Sequence, residues 1–133
     1  MSLDRPVFLK MAHNSEDPLG ASIVEAHVHQ WRALARQNVP GMPTIFNIGQ
    51  EADCWFLTTE WIQSPSLRAL SNIAPGTIAD PARFLVSLVE RCLIILGDLH
   101  ACGFVHADIS SGNILASPST NLQAVFLVDH LRR

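Results

Sequence analysis

A helix with both ends written into the sequence is the strongest constraint on this chain. Asp80 can accept hydrogen bonds from the free N–H groups of a first turn, and Pro81 fits the first helical position, where a missing N–H costs nothing. The helix runs to about Ala101, and Gly103 suits the left-handed residue that ends it. Leu85, Leu88, Cys92, Ile95 and Leu99 recur at helical spacing and predict one buried face. Phe84 to Leu99 is the most apolar window, but Ser87, Glu90, Arg91 and Asp98 interrupt it, so it does not read as a membrane span. A helix of that length must bury its face against other elements.

Those elements can be read on either side of it. Pro6 to Ala12 is a short apolar run around one lysine and reads as a strand. A polar loop, His13 to Gly20, leads to a helix over Ala21 to Gln37 with Val24, Val28, Trp31 and Ala35 on one stripe. Val39-Pro40-Gly41-Met42-Pro43 ends it, because proline cannot continue a helix. Thr44 to Ile48 and Trp55 to Glu60 are strands about a hairpin-like Gly49 to Asp53. A short helix near Ser66 to Ser71 precedes the long one, and Asn113 to Ala116 and Ala124 to Val128 are strands behind it. The order β-α-β-β-α-α-β-β predicts an α+β fold. With 133 residues, the chain has room for one domain.

Composition narrows the function classes. Nine Lys and Arg against twelve Asp and Glu give a net charge of -3, with no basic stretch, which excludes a nucleic-acid binder. Three cysteines without metal-ligand spacing suit buried thiols in a reducing, cytoplasmic setting, and MSLDRPVFLK is not a signal peptide. The apolar share is 48% and mean hydropathy is +0.22, rich for a free-standing domain of this size. The expectation is that a second copy or another partner covers apolar surface.

The polar residues after the long helix raise the functional question. In GFVHADISSGNIL, residues 103 to 115, Asp108 and Asn113 stand five positions apart. Such an aspartate can accept a proton from a hydroxyl, and such an asparagine can offer an oxygen to Mg²⁺, with Asp129 as a second, charged ligand. Magnesium takes a few hard oxygens and keeps several waters, which fits one carboxylate and one amide beside a nucleotide. The same residues also suit side-chain-to-backbone turns, and the loop by itself leaves both readings open.

LHACGFVHADISSGNIL followed by VFLVD resembles the catalytic loop and metal-binding aspartate of the protein-kinase-like superfamily. Its wording is most similar to the bacterial lipopolysaccharide kinases of the heptose and Kdo type, with aminoglycoside and choline phosphotransferases as relatives. Upstream, VFLK resembles the strand whose lysine, here Lys10, holds the nucleotide phosphates, and Glu25 resembles the helix glutamate that pairs with it. HQWRALARQNVPGMPTIFNIGQ and WFLTTEWIQSPSLRAL resemble the following helix–strand segment and the hinge, where Glu60, Trp61 and Ile62 would meet adenine. Five features in order are far more specific than any one of them.

The resemblance implies a two-lobed, protein-kinase-like fold spanning residues 1–133, with an N-lobe remnant and hinge over 1–62 and a C-lobe core over 63–133. It implies ATP and Mg²⁺, with Asp108 as base, Asn113 and Asp129 on the metal, and His106 packed beneath the loop. The acceptor expected from the resemblance is a sugar or lipid-linked sugar of lipopolysaccharide, met at the inner face of the bacterial membrane. Departures point to a truncated version. Nine residues precede Lys10, too few for a glycine-rich lid, and the C-lobe is short. Ala107 and Ser110 replace the arginine and lysine of regulated protein kinases, and His130 and Leu131 follow Asp129. The alternative is a catalytically impaired module that binds nucleotide or a protein partner.

Overall fold

The computed structural model describes residues 5–13, 17–118 and 125–128. Its elements appear in the expected order: β1 (Val7–His13), α1 (Pro18–Ala35), β2 (Ile45–Glu51), β3 (Cys54–Glu60), α2 (Leu67–Leu70), α3 (Pro81–Ala101), β4 (Ile114–Ala116) and β5 (Val125–Leu127). They fall into two compact units: Met1–Asn38 with Pro43–Trp61, and Val39–Met42 with Ile62–Arg133.

The first unit is a three-stranded antiparallel sheet, in the order β1-β3-β2, with α1. Val28 and Trp31 of α1 form a core with Leu57 of β3, and Ala12, Val24, Ile45, Ile48 and Trp55 pack on it. The helix begins three residues earlier than its apolar pattern suggests. Asp17 is its cap, with Oδ2 accepting from the Gly20 N–H at 3.2 Å, and Pro18 opens the first turn. Cap chemistry overrides the loop-like composition of Asp17-Pro18-Leu19-Gly20. Burial follows Val28, Trp31 and Leu34, while Ala35 in the last turn is exposed.

Strand β2 continues to Glu51, so the hairpin closes through Ala52 and Asp53 alone, with Ala52 at a φ of 49°. Once β3 pairs alongside, each added ladder bond extends the strands up to the turn. Gly49 therefore sits inside the ladder opposite Phe56, whose ring occupies the space where a Cβ would stand. The outer strand β1 leaves Val7, Phe8, Leu9 and Met11 exposed, so Met11 is not a core residue.

In the second unit, α3 has the caps its sequence encodes. Asp80 Oδ1 accepts from the Arg83 N–H at 3.1 Å. At the other end, the Phe104 N–H donates to the Leu99 carbonyl and the Gly103 N–H to the His100 carbonyl, with Gly103 at a φ of +82°. These crossed bonds are a Schellman motif, which only a left-handed residue closes without strain. The buried stripe is Phe84, Leu88, Ile95 and Leu99, and Leu85 is 51% exposed. At about 100° per residue, Phe84 lies about 40° from Leu88 and Leu85 about 60° on the other side. Burial pushes the half-buried Cys92 thiol up, so it is held as the neutral packing group.

Strands β4 and β5 pair antiparallel, with Ile114, Ala116, Val125 and Leu127 buried. Gly41 docks here. Its carbonyl accepts from the Leu127 N–H at 2.9 Å, its φ is +85°, and a Cβ would stand 2.5 Å from Ile95 Cδ1. Backbone shape and close approach both require glycine at this position.

Candidate active site

The loop after α3 is positioned from both ends. Behind the Schellman motif, Phe104 is fully buried, which anchors the chain as it turns into residues 105–113. At the far end, the Asn113 carbonyl accepts from the Val128 N–H at 2.9 Å, and the Asn113 N–H donates to Ser110 at 3.0 Å. Ser110 and Ser111 thus serve through their backbone as turn residues. Ala107 sits at a φ of 61°, a left-handed conformation that a non-glycine residue adopts only when its surroundings impose it.

His106 is 1% exposed and lies under this turn. Its Nε2 is 3.0 Å from the Val128 carbonyl, and the Asp108 N–H donates to its Nδ1 at 3.4 Å. A carbonyl only accepts, so Nε2 carries the hydrogen and the ring is the neutral tautomer. One side chain therefore fixes both the backbone of Asp108 and the end of β5. Replacing it by leucine leaves two inward-facing polar groups without that partner. His106→Leu is expected to lower unfolding free energy by about 2–4 kcal/mol, read from the urea midpoint at unchanged slope.

Asp108 and Asn113 meet directly. The Asn113 Nδ2 group donates to the Asp108 carbonyl and to its Oδ2, each at 3.0 Å. Both partners accept only, so the amide nitrogen must face them, and the amide oxygen Oδ1 points elsewhere. Among the described residues neither Asn113 Oδ1 nor Asp108 Oδ1 takes part in a hydrogen bond. One carboxylate oxygen is thus left to accept a hydroxyl hydrogen, and one amide oxygen is left for a hard cation. That donor chemistry fits Mg²⁺ at Asn113. Asp129 lies outside the described residues, and among those described no cluster of three His, Cys, Asp or Glu side chains forms a metal site.

The remaining expected site residues belong to the first unit or follow it. Lys10 is half-buried on β1, opposite Leu57 of β3. Glu25 is exposed on α1. Glu60 ends β3, where its N–H donates to the Thr44 carbonyl at 2.8 Å and its Oε2 accepts from the Thr44 N–H at 3.4 Å. Trp61 follows the end of the ladder and is 50% exposed, so it does not bury its ring as its size suggests, and Ile62 is half-buried.

A neighbour that sequence reading missed is Arg68 of α2. Its N–H donates to the Ser111 carbonyl at 2.8 Å, and its guanidinium lies against Gly112. Ser66 bridges to Leu115, and the Ala116 N–H donates to the Pro65 carbonyl at 3.0 Å. No local pattern in SPSLRAL signals this contact, which exists only because β4 brings the loop beside α2.

No protein-family model matches the chain. The chain is 32% identical over 117 residues to the DNA damage-responsive serine/threonine-protein kinase RqkA of Deinococcus radiodurans, a match over 85% of this chain and 16% of that protein. It is 33% identical over 119 residues to the serine/threonine-protein kinase PknL of Mycobacterium tuberculosis, over 86% of this chain and 28% of that one. The chain thus spans under a third of these curated relatives. Among solved structures, that titled PpkA-294 apo form superposes with a TM-score of 0.65 at 24% identity, covering 83% of this chain and 37% of the other. The architecture is α+β and protein-kinase-like. The similarity runs to Ser/Thr protein kinases, and the expected closeness to lipopolysaccharide kinases is not supported by these relatives.

Proposed function

We propose that the chain carries the chemistry of an ATP-dependent phosphotransferase, moving the γ-phosphate to a hydroxyl. The observation that carries this reading is the Asn113 amide bonded twice to Asp108, which leaves one oxygen of each residue open. In this reading Asp108 Oδ1 accepts the hydrogen of the incoming hydroxyl and aims its oxygen at the phosphorus. Bound Mg²⁺, held by Asn113 Oδ1 and Asp129, would neutralise phosphate charge. Lys10, held by Glu25, binds the nucleotide phosphates, and the backbone of Glu60, Trp61 and Ile62 meets adenine. Positioning and charge neutralisation supply most of the rate in such a transfer, because little covalent work falls to the protein.

The named relatives favour a serine or threonine side chain as acceptor. Ala107 and Ser110 are what favour a sugar of lipopolysaccharide, since both depart from the regulated protein-kinase loop. We take the peptide hydroxyl as the primary reading. Among the described residues no helix is long and apolar enough to cross a membrane.

Binding is tested first. A ligand that binds only the folded state raises the melting temperature, and ATP with Mg²⁺ at about 100 times its Kd is expected to raise it by roughly 5–10 °C. Asn113→Ala and Asp129→Ala should each remove the Mg²⁺-dependent part of that shift. An undiminished shift in both would sink the metal assignment. ATP binding without transfer to any serine, threonine or sugar acceptor would leave a nucleotide-binding module instead.

A further inference from the structure

The Arg68 guanidinium has an unusual placement for an exposed side chain. A Cβ built on Gly112 would stand 3.4 Å from its Cζ, 3.4 Å from Nη2 and 3.7 Å from Nη1. Three atoms of one plane nearly equidistant from one point mean that the guanidinium lies face-on against Gly112. Its N–H bonds, which lie in that plane, are therefore directed sideways rather than into the loop. Among the described residues it has no acidic partner. Gly112 precedes Asn113, the residue that orients Asp108, and residues 106–113 contain no cation of their own. From the side chains of that loop an acidic group beside Asp108 would meet like charge, which Arg68 can offset.

We propose that Arg68 is an acceptor-binding residue, whose guanidinium takes a carboxylate or phosphate flanking the hydroxyl, so that the chain selects acidic peptides. The planar fork of arginine suits this task, because a carboxylate can accept two parallel hydrogen bonds from its free edge. The net charge of -3 disfavours acidic ligands overall, so a preference for them must come from a local cation. The inference rests on the phosphotransferase reading for its hydroxyl acceptor, and its test does not require turnover.

The experiment measures binding to the full chain by fluorescence anisotropy. One labelled peptide has a central alanine flanked by glutamates, and its counterpart has lysines at the same places. The wild-type chain is expected to bind the glutamate peptide about fivefold to tenfold more tightly, as expected for one close charge pair in a hydrated setting. Arg68→Glu should invert the preference, and Arg68→Lys should keep its sign with a smaller ratio, because the charge stays and the fork is lost. Equal binding of the two peptides by wild type, a lysine preference, or a glutamate preference that survives Arg68→Glu would each overturn the proposal. Serine versions of both peptides are then offered with ATP and Mg²⁺. An Arg68-dependent preference without transfer would uphold the binding site and count against the phosphotransferase reading.

Discussion

Asp108→Ala is expected to lower phosphoryl transfer about 10²- to 10⁴-fold, the usual contribution of a positioned proton acceptor, while ATP and Mg²⁺ still bind. The geometry separates the two effects. Asn113 Nδ2 has two acceptors on residue 108, the carboxylate Oδ2 and the backbone carbonyl, both at 3.0 Å. Alanine removes the first and keeps the second, so the Asn113 amide retains its orientation and its oxygen remains available to a cation. The loss should therefore fall on the rate of transfer, with the ATP-induced thermal shift nearly unchanged. Asp108→Asn is the sharper variant. It preserves size and can still accept from Asn113, but its amide is a poor proton acceptor. Transfer near the wild-type rate in both variants would remove Asp108 from the mechanism. Loss of nucleotide binding in both would mean that the carboxylate holds the site together.

The largest effect on stability is expected at Phe104. Its side chain is fully buried, as is that of Leu99, whose carbonyl accepts the Phe104 N–H. Truncation to alanine removes a ring from a packed interior and leaves a cavity, which costs about 3–5 kcal/mol. That is a large part of the about 5–15 kcal/mol that holds a domain together. Urea unfolding followed by circular dichroism should show the midpoint fall steeply. If the alanine variant does not fold, Phe104→Leu is expected to fold with a smaller loss, below about 2 kcal/mol. Leu85→Ala on the exposed side of α3 is the control, with a change within about 0.5 kcal/mol. Comparable losses at both positions would show that the buried face of α3 has been assigned wrongly.

Local chemistry determined a good deal of this fold. Asp80, Pro81 and Gly103 bound α3 by cap geometry that needs no tertiary partner, and the element order follows from apolar periods of two and 3.6 residues. The same reasoning set the start of α1 too late, because Asp17-Pro18 looks like a loop until its cap bond to Gly20 is seen. Glu60, Trp61 and Ile62 are contiguous and could be named together from the sequence. How Asp108 and Asn113 bond could not be read there. It depends on the turn at Ala107 and Ser110 and on which amide atom faces the carboxylate.

What the sequence by itself determined, then, is where elements begin and end and which residue types stand ready for chemistry. Hydrogen bonding to the nearest backbone groups, and side-chain period, act within a few residues and leave their mark in the order of letters. The tertiary structure alone decided which apolar residues are core. Helix α3 has apolar residues around most of its circumference, so only packing could choose Phe84 over Leu85. It also decided that the His106 ring joins Asp108 to the end of β5, and that Arg68 lies on Gly112. Each of these contacts joins segments far apart along the chain. The energy that selects them comes from burial and from pairing groups that cannot reach water, and neither exists until the strands and helices have come together.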